Sequence, residues 1–102
     1  MIVYISGPIT NNTNAEQDFA RAEQELLTRF ADEKSLTILN PVRFSKAVIG
    51  TPLSYEQYLQ IDIKLISLST HIYFLKNWEN SYGCKVECML AMIYNVKMLY
   101  QE

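Results

Sequence analysis

The chain has 102 residues, 49% of them hydrophobic, with 9 basic and 11 acidic side chains and a net charge of −2. That length admits one hydrophobic core and excludes two, so residues 1–102 are read as a single domain. The charge balance leaves no footprint for a nucleic-acid polymer, no apolar run reaches membrane-spanning length, and no signal-peptide pattern opens the chain.

Met1 to Ile5 is a short β-branched apolar run of the kind that suits a strand buried on both faces, and Gly7-Pro8 stops it. Ser6 to Thr13 reads as a polar loop. Asn14 or Thr13 is positioned to cap the next helix, with Gln17 or Glu16 as the partner three residues on. Phe19, Ala22, Leu26, Leu27 and Phe30 then recur at helical spacing up to about Ala31, with charged residues on a solvated face. Leu36 to Leu39 is a second strand, stopped by Asn40-Pro41. Val42 to Ser54 lacks a clean period and reads as a long loop with a helical turn near Phe44 to Val48; a loop of that length in so small a domain points to function.

Ser54 with Gln57 forms a capping box that opens a helix from Tyr55 to about Leu68. Its apolar face carries Tyr55, Tyr58, Leu59 and Ile66, and Asp62 falls on that same face. His71 to Leu75 is the third strand. A polar loop, Trp78 to Gly83, leads into the nearly all-apolar run Val86 to Ile93, read as a buried helix with Glu87 about one turn in as its only acid. Val96 to Tyr100 is the fourth strand. The two cysteines, Cys84 and Cys88, lie four apart on one predicted helix and are poorly placed to pair, which points to a reduced, cytoplasmic protein. With His71 they match no zinc spacing and read as core residues, so no metal is expected.

Strands alternating with helices, and strands that are apolar throughout, predict an α/β fold. It is a Rossmann-like (flavodoxin-like) three-layer domain with a four-stranded parallel sheet in the order 2-1-3-4. Ligands in such sheets bind beyond the carboxyl ends of the strands, where the strand order switches. Here that point lies between strands one and three. Ser6-Gly7-Pro8 and the loop up to Gly83 therefore share one cleft with Glu87 behind it. A carboxylate in an apolar setting costs free energy unless something satisfies or uses it, and Glu87 and Asp62 are two such groups.

These residues together resemble the nucleoside 2-deoxyribosyltransferase-like superfamily, in particular its small phage and bacterial members. The resemblance is carried by Tyr4-Ile5-Ser6-Gly7-Pro8-Ile9-Thr10, Asn40-Pro41, Tyr58-Leu59-Gln60-Ile61-Asp62, and Trp78-Glu79-Asn80-Ser81-Tyr82-Gly83 running to Glu87 with Ala91 beyond. It implies that Glu87 is a nucleophile, that Tyr4 hydrogen-bonds to it and that Asp62 contacts the nucleobase. Transferases often carry Asp at the position of Ser81. A Ser there is similar to the related nucleotide N-glycosidases, in which this region and the first loop hold a 5′-phosphate. The resemblance also implies a longer chain after the fourth strand in the transferases, and a neighbouring subunit that completes the pocket.

The chemistry matches these residue types. Cleavage of an N-glycosidic bond builds positive charge on the sugar, which a carboxylate opposite the base stabilises or attacks. A helix start favours the ionised form of Glu87, and burial opposes it. Gly83, one turn before Glu87, leaves room for a sugar. Ser6, the Gly7 amide and Ser81 are donors for a 5′-hydroxyl or phosphate, Pro8 is counted with them among the substrate-binding residues, Arg43 or Lys46 supplies charge, and Trp78 and Tyr82 stack on the base. The expected activity is cleavage or transfer of the N-glycosidic bond of (deoxy)nucleosides or their 5′-monophosphates. No cofactor and no metal take part, and the protein acts as a homo-oligomer. Two alternatives stand beside it: a non-catalytic nucleotide-binding module, and a small interaction protein with an aromatic surface. The bland reading of Asp62 is a cap for a neighbouring element, and that of Tyr4 is a core tyrosine.

Overall fold

The structure is a computed structural model that describes residues 1–47 and 54–102; of residues 45–47 and 55 it describes the backbone alone. Its centre is β1 (Ile2–Ser6), flanked by β2 (Thr37–Leu39) and β3 (His71–Phe74), with β4 (Lys97–Tyr100) beyond β3. All pairs are parallel and the order is β2-β1-β3-β4, as the alternation of elements predicts. The helices are α1 (Ala15–Arg29), α2 (Pro41–Ala47), α3 (Tyr55–Ser67) and α4 (Tyr82–Ile93).

The two-residue period of a strand divides β1 between two cores. Val3 and Ile5 face Phe19, Ala22 and Leu26 of α1, together with Tyr73 and Leu75. Tyr4 faces the opposite way, into a cluster with Ile72, Phe74, Ile66 of α3 and Ala91 of α4. Truncating a residue such as Leu26, fully buried in the first cluster, costs about 2–5 kcal/mol. Ser6 follows Tyr4 by two residues and so shares its face. The strand therefore runs one residue further than Gly7-Pro8 suggests, and Ser6 is strand rather than loop. Gly7 packs so closely on Leu75 that an added Cβ would lie 2.6 Å from Leu75 Cδ1, which explains the glycine sterically.

Other boundaries differ from expectation for local reasons. Asn14 precedes α1 but makes no side-chain cap. Instead Asn12 builds the turn: its Oδ1 accepts from the Asn14 amide at 3.0 Å, and its Nδ2 donates to Pro8 O at 2.9 Å. The stretch after Asn40 begins as a helix, Pro41–Ala47, and not as loop; residues 48–53 of the expected loop, with the Val48 end of the expected turn, lie outside the described residues. Pro41 suits a first helical turn, and Asn40 Oδ1 accepts from the Val42 amide at 3.0 Å. The Ser54–Gln57 capping box is formed in both directions, at 3.2 and 2.8 Å. A 3₁₀ turn, Trp78–Asn80, precedes α4, which starts at Tyr82 with Ser81 as its cap. Nor is α4 a buried helix: Tyr82, Met89, Met92 and Ile93 are exposed. Among the described residues no helix is long and apolar enough to cross a membrane.

Candidate active site

Glu87 is in the second turn of α4, with its side chain buried beneath the sheet's carboxyl end and 9% exposed. That depth removes the expected help from the helix dipole, which fades within the first turn. Two hydroxyls from one face of β1 hold the carboxylate instead. The Tyr4 hydroxyl donates to Oε2 and the Ser6 hydroxyl donates to Oε1 at 2.7 Å. Each oxygen has one fixed donor, and Glu87 also lines a hollow of about 730 Å³. Burial pushes the Glu87 carboxyl up to about 7; the hydrogen bonds from Tyr4 and Ser6 act against this, and the charge of Asp62 adds to it.

Asp62 comes from α3, lines the same hollow and interacts with the same phenol. Burial raises its carboxyl to about 6, with the Tyr4 hydrogen bond acting against the rise. Burial, then the charges of Glu87 and Asp62, hold the Tyr4 phenol well above its ordinary range, so it remains a proton carrier between two carboxyls. A hydroxyl has one proton to give. When Tyr4 donates to Glu87, its contact with Asp62 is satisfied if Asp62 carries a proton. The two carboxyls, both raised by burial, titrate as a pair around one phenol.

The structure thus brings Glu87, Tyr4 and Asp62 together, and it sets Gly7, Pro8, Ser81 and Gly83 in the wall of their hollow. An added Cβ at Gly83 would meet nothing nearer than Ser81 Oγ at 3.9 Å, so packing does not require this glycine. Three placements correct the sequence expectations. Ser6 is fully buried, its hydroxyl donates to Glu87, and it is not among the residues that line the hollow. Trp78 does not line the hollow; its ring packs on Phe74 at 4.6 Å and faces Tyr100 at 6.2 Å, at the far edge of the sheet. Arg43 is held by Glu23 in a two-point ion pair at 2.6 and 2.9 Å, which Asn40 Nδ2 joins at 2.6 Å. The side chain of Lys46 lies outside the described residues.

Cys84 is buried one turn before Glu87, as its reading as a core residue expects, and it also lines the hollow. Burial raises its thiol, with hydrogen bonds to Ser81 and Ser6 opposing. Pro41, Tyr58, Thr10, Asn11 and Asn80 complete much of the wall. Among the described residues no three His, Cys, Asp or Glu side chains are grouped to hold a metal ion.

A parallel 2-1-3-4 sheet with a paired-carboxyl hollow at its switch point defines a Rossmann-like α/β domain. Residues 1–100 match the family described as "Domain of unknown function (DUF4406)", and the chain belongs to that family. No curated protein matches it. A solved structure of a 2-deoxyribosyltransferase from the psychrotolerant bacterium Bacillus psychrosaccharolyticus is similar, with a TM-score of 0.68 and 16% identity over 98% of this chain and 71% of that one. At that identity the likeness is one of fold.

Proposed function

We propose that the protein binds a nucleoside or nucleotide in the Glu87 hollow and cleaves or transfers its N-glycosidic bond. One observation carries this reading: a buried carboxylate, fixed by two hydroxyls of β1, lines an open hollow that a second carboxyl, interacting with the same phenol, also lines. The fold likeness to a 2-deoxyribosyltransferase supports it.

In the proposed reaction the anomeric carbon lies against Glu87, with the base toward Asp62 and Tyr58. The Asp62 proton passes to the departing base as the C–N bond breaks, and the electron pair of that bond leaves with the base. The ionised Glu87 stabilises the cationic sugar and closes on its anomeric carbon as a glycosyl ester. Water or a second base then attacks that carbon, gives its proton to Asp62 and releases Glu87. Tyr4 and Ser6 hold Glu87 in line throughout. No step calls on a metal or organic cofactor.

The exposed Tyr82, Met89, Met92 and Ile93 of α4 favour self-association along that helix, next to the mouth of the hollow at Tyr82. Light scattering after gel filtration reads this directly. The activity is tested by chromatographic screening of deoxynucleosides and their 5′-monophosphates. Base release by the wild type that disappears in Glu87→Ala supports the enzyme. Ligand binding with no base release supports a binding module in its place.

A further inference from the structure

The carboxyl end of the sheet carries more than the Glu87 hollow. A second hollow, of about 870 Å³, opens on the α1 side of the first loop and shares Pro8, Thr10, Asn11 and Asn80 with the first. A third, of about 510 Å³, shares Leu75, Lys76, Asn77 and Gln101 with the second. The three hollows therefore adjoin in series past the ends of β1, β3 and β4. With neighbouring strands about 4.8 Å apart, the series crosses about 10 Å of sheet.

Each hollow has its own chemistry. The second holds two cations, Arg21 and Lys76, whose side chains make no ion pair or hydrogen bond among the described residues. Its acids Asp18 and Glu25 are already supplied with donors. Asp18 accepts from Asn12 Nδ2 at 3.2 Å, and Glu25 accepts from the Tyr73 hydroxyl at 3.1 Å and from Gln101 Nε2 at 2.7 Å. Glu102 is the remaining acid of that wall and is exposed. Asn11 and Asn77 line the same hollow with left-handed backbone, at φ 59° and 67°, a conformation that costs free energy outside glycine and clusters at ligand sites. The third hollow is aromatic. Half-buried Trp78 and half-exposed Tyr100 set their rings 6.2 Å apart, both packed on Phe74, with Glu79 exposed at the side.

A nucleoside in the first hollow uses neither of the others. An aromatic platform suits the face of any base, and a guanidinium beside an ammonium suits phosphate oxygens. We propose that the protein takes a dinucleotide, two nucleosides joined through a diphosphate. The nucleoside to be cleaved lies in the Glu87 hollow. The diphosphate crosses the rim at Thr10 and Asn11 to Arg21 and Lys76, and the second base stacks on Trp78 and Tyr100. This proposal rests on the functional reading above and names its substrate class. It also gives Trp78 a role that the first hollow does not.

The test sets a diphosphate-bridged dinucleotide against the mononucleosides it contains, on the whole protein, by titration calorimetry and by kcat/KM for base release. The dinucleotide is expected to be favoured by at least about tenfold at low salt, with the ratio shrinking as added salt screens the two cations. Trp78→Ala is expected to lower that ratio by about fivefold or more, and Trp78→Phe to retain most of it. Lys76→Ala is expected to lower it as well; Lys76 is exposed, so this variant keeps the test decisive if Trp78→Ala does not fold. A dinucleotide that binds no better than its nucleosides, or whose advantage survives both alanine variants, overturns the proposal and leaves the functional reading standing. Preference for two nucleosides joined by a single phosphodiester would assign the series to a nucleic-acid strand and overturns it too. Failure of nucleosides and dinucleotide alike to bind overturns the functional reading, and this proposal with it.

Discussion

Replacing Glu87 by Gln is expected to stabilise the protein at neutral pH while silencing it. The carboxyl titrates at about 7 in the folded protein against an ordinary value of 4.5. Between those values the folded state therefore holds a proton that the unfolded state has released. Stability falls as pH rises through this window and levels off above it. Each pH unit is worth about 1.36 kcal/mol, so the Glu87 contribution to the loss is roughly 3 kcal/mol. Gln does not titrate, and its Oε1 still accepts a hydrogen bond from a β1 hydroxyl. Urea unfolding of both proteins at pH 4.5 and pH 8 measures the effect. Relative to wild type, Glu87→Gln gains roughly 3 kcal/mol between the two, on the order of 15 °C in Tm for a domain of this size. Parallel pH dependences would refute the reasoning, because they would mean that burial does not strain this carboxylate.

Tyr4→Phe removes a donor to a buried carboxylate, worth about 1.5–3 kcal/mol, so the acidic limb of the base-release pH profile moves up by about one to two pH units. A profile that loses height without moving would assign Tyr4 to packing alone. Gly83→Ala fills open space, so urea unfolding is expected to show unchanged or slightly raised stability, while calorimetry shows nucleoside affinity down by about tenfold or more. Asn40→Ala removes both the cap of α2 and a bond to Glu23, and chemical unfolding is expected to record a loss of about 1–2 kcal/mol.

Much of the fold was legible because its strands are short apolar runs separated by helical periods, and right-handed crossovers leave few topologies for them. The capping box at Ser54 was legible because both of its halves are local. What failed to show was decided by distant partners. The helix Pro41–Ala47 is too short to display a period, and it is fastened by Arg43 to Glu23 on α1, twenty positions earlier. Trp78 carries no signal of which way its ring turns; contact with Phe74 and Tyr100 decides that. In the site, Glu87 and Asp62 stood out as acids in apolar surroundings. The role of Ser6 was hidden by one boundary: ending the first strand at Ile5 conceals that residues 4 and 6 share a face. The alternation of a strand extended by one residue was the signal that could have revealed it.

Covalent capture probes the proposed role of Glu87 most directly. The protein is incubated with a cleaved deoxynucleoside, quenched in acid, digested and mapped by mass spectrometry. The expected result is one deoxyribosyl increment on the peptide that contains Glu87, absent from Glu87→Gln. Base release that continues undiminished in Glu87→Gln, with no increment on that peptide in the wild type, would contradict the account.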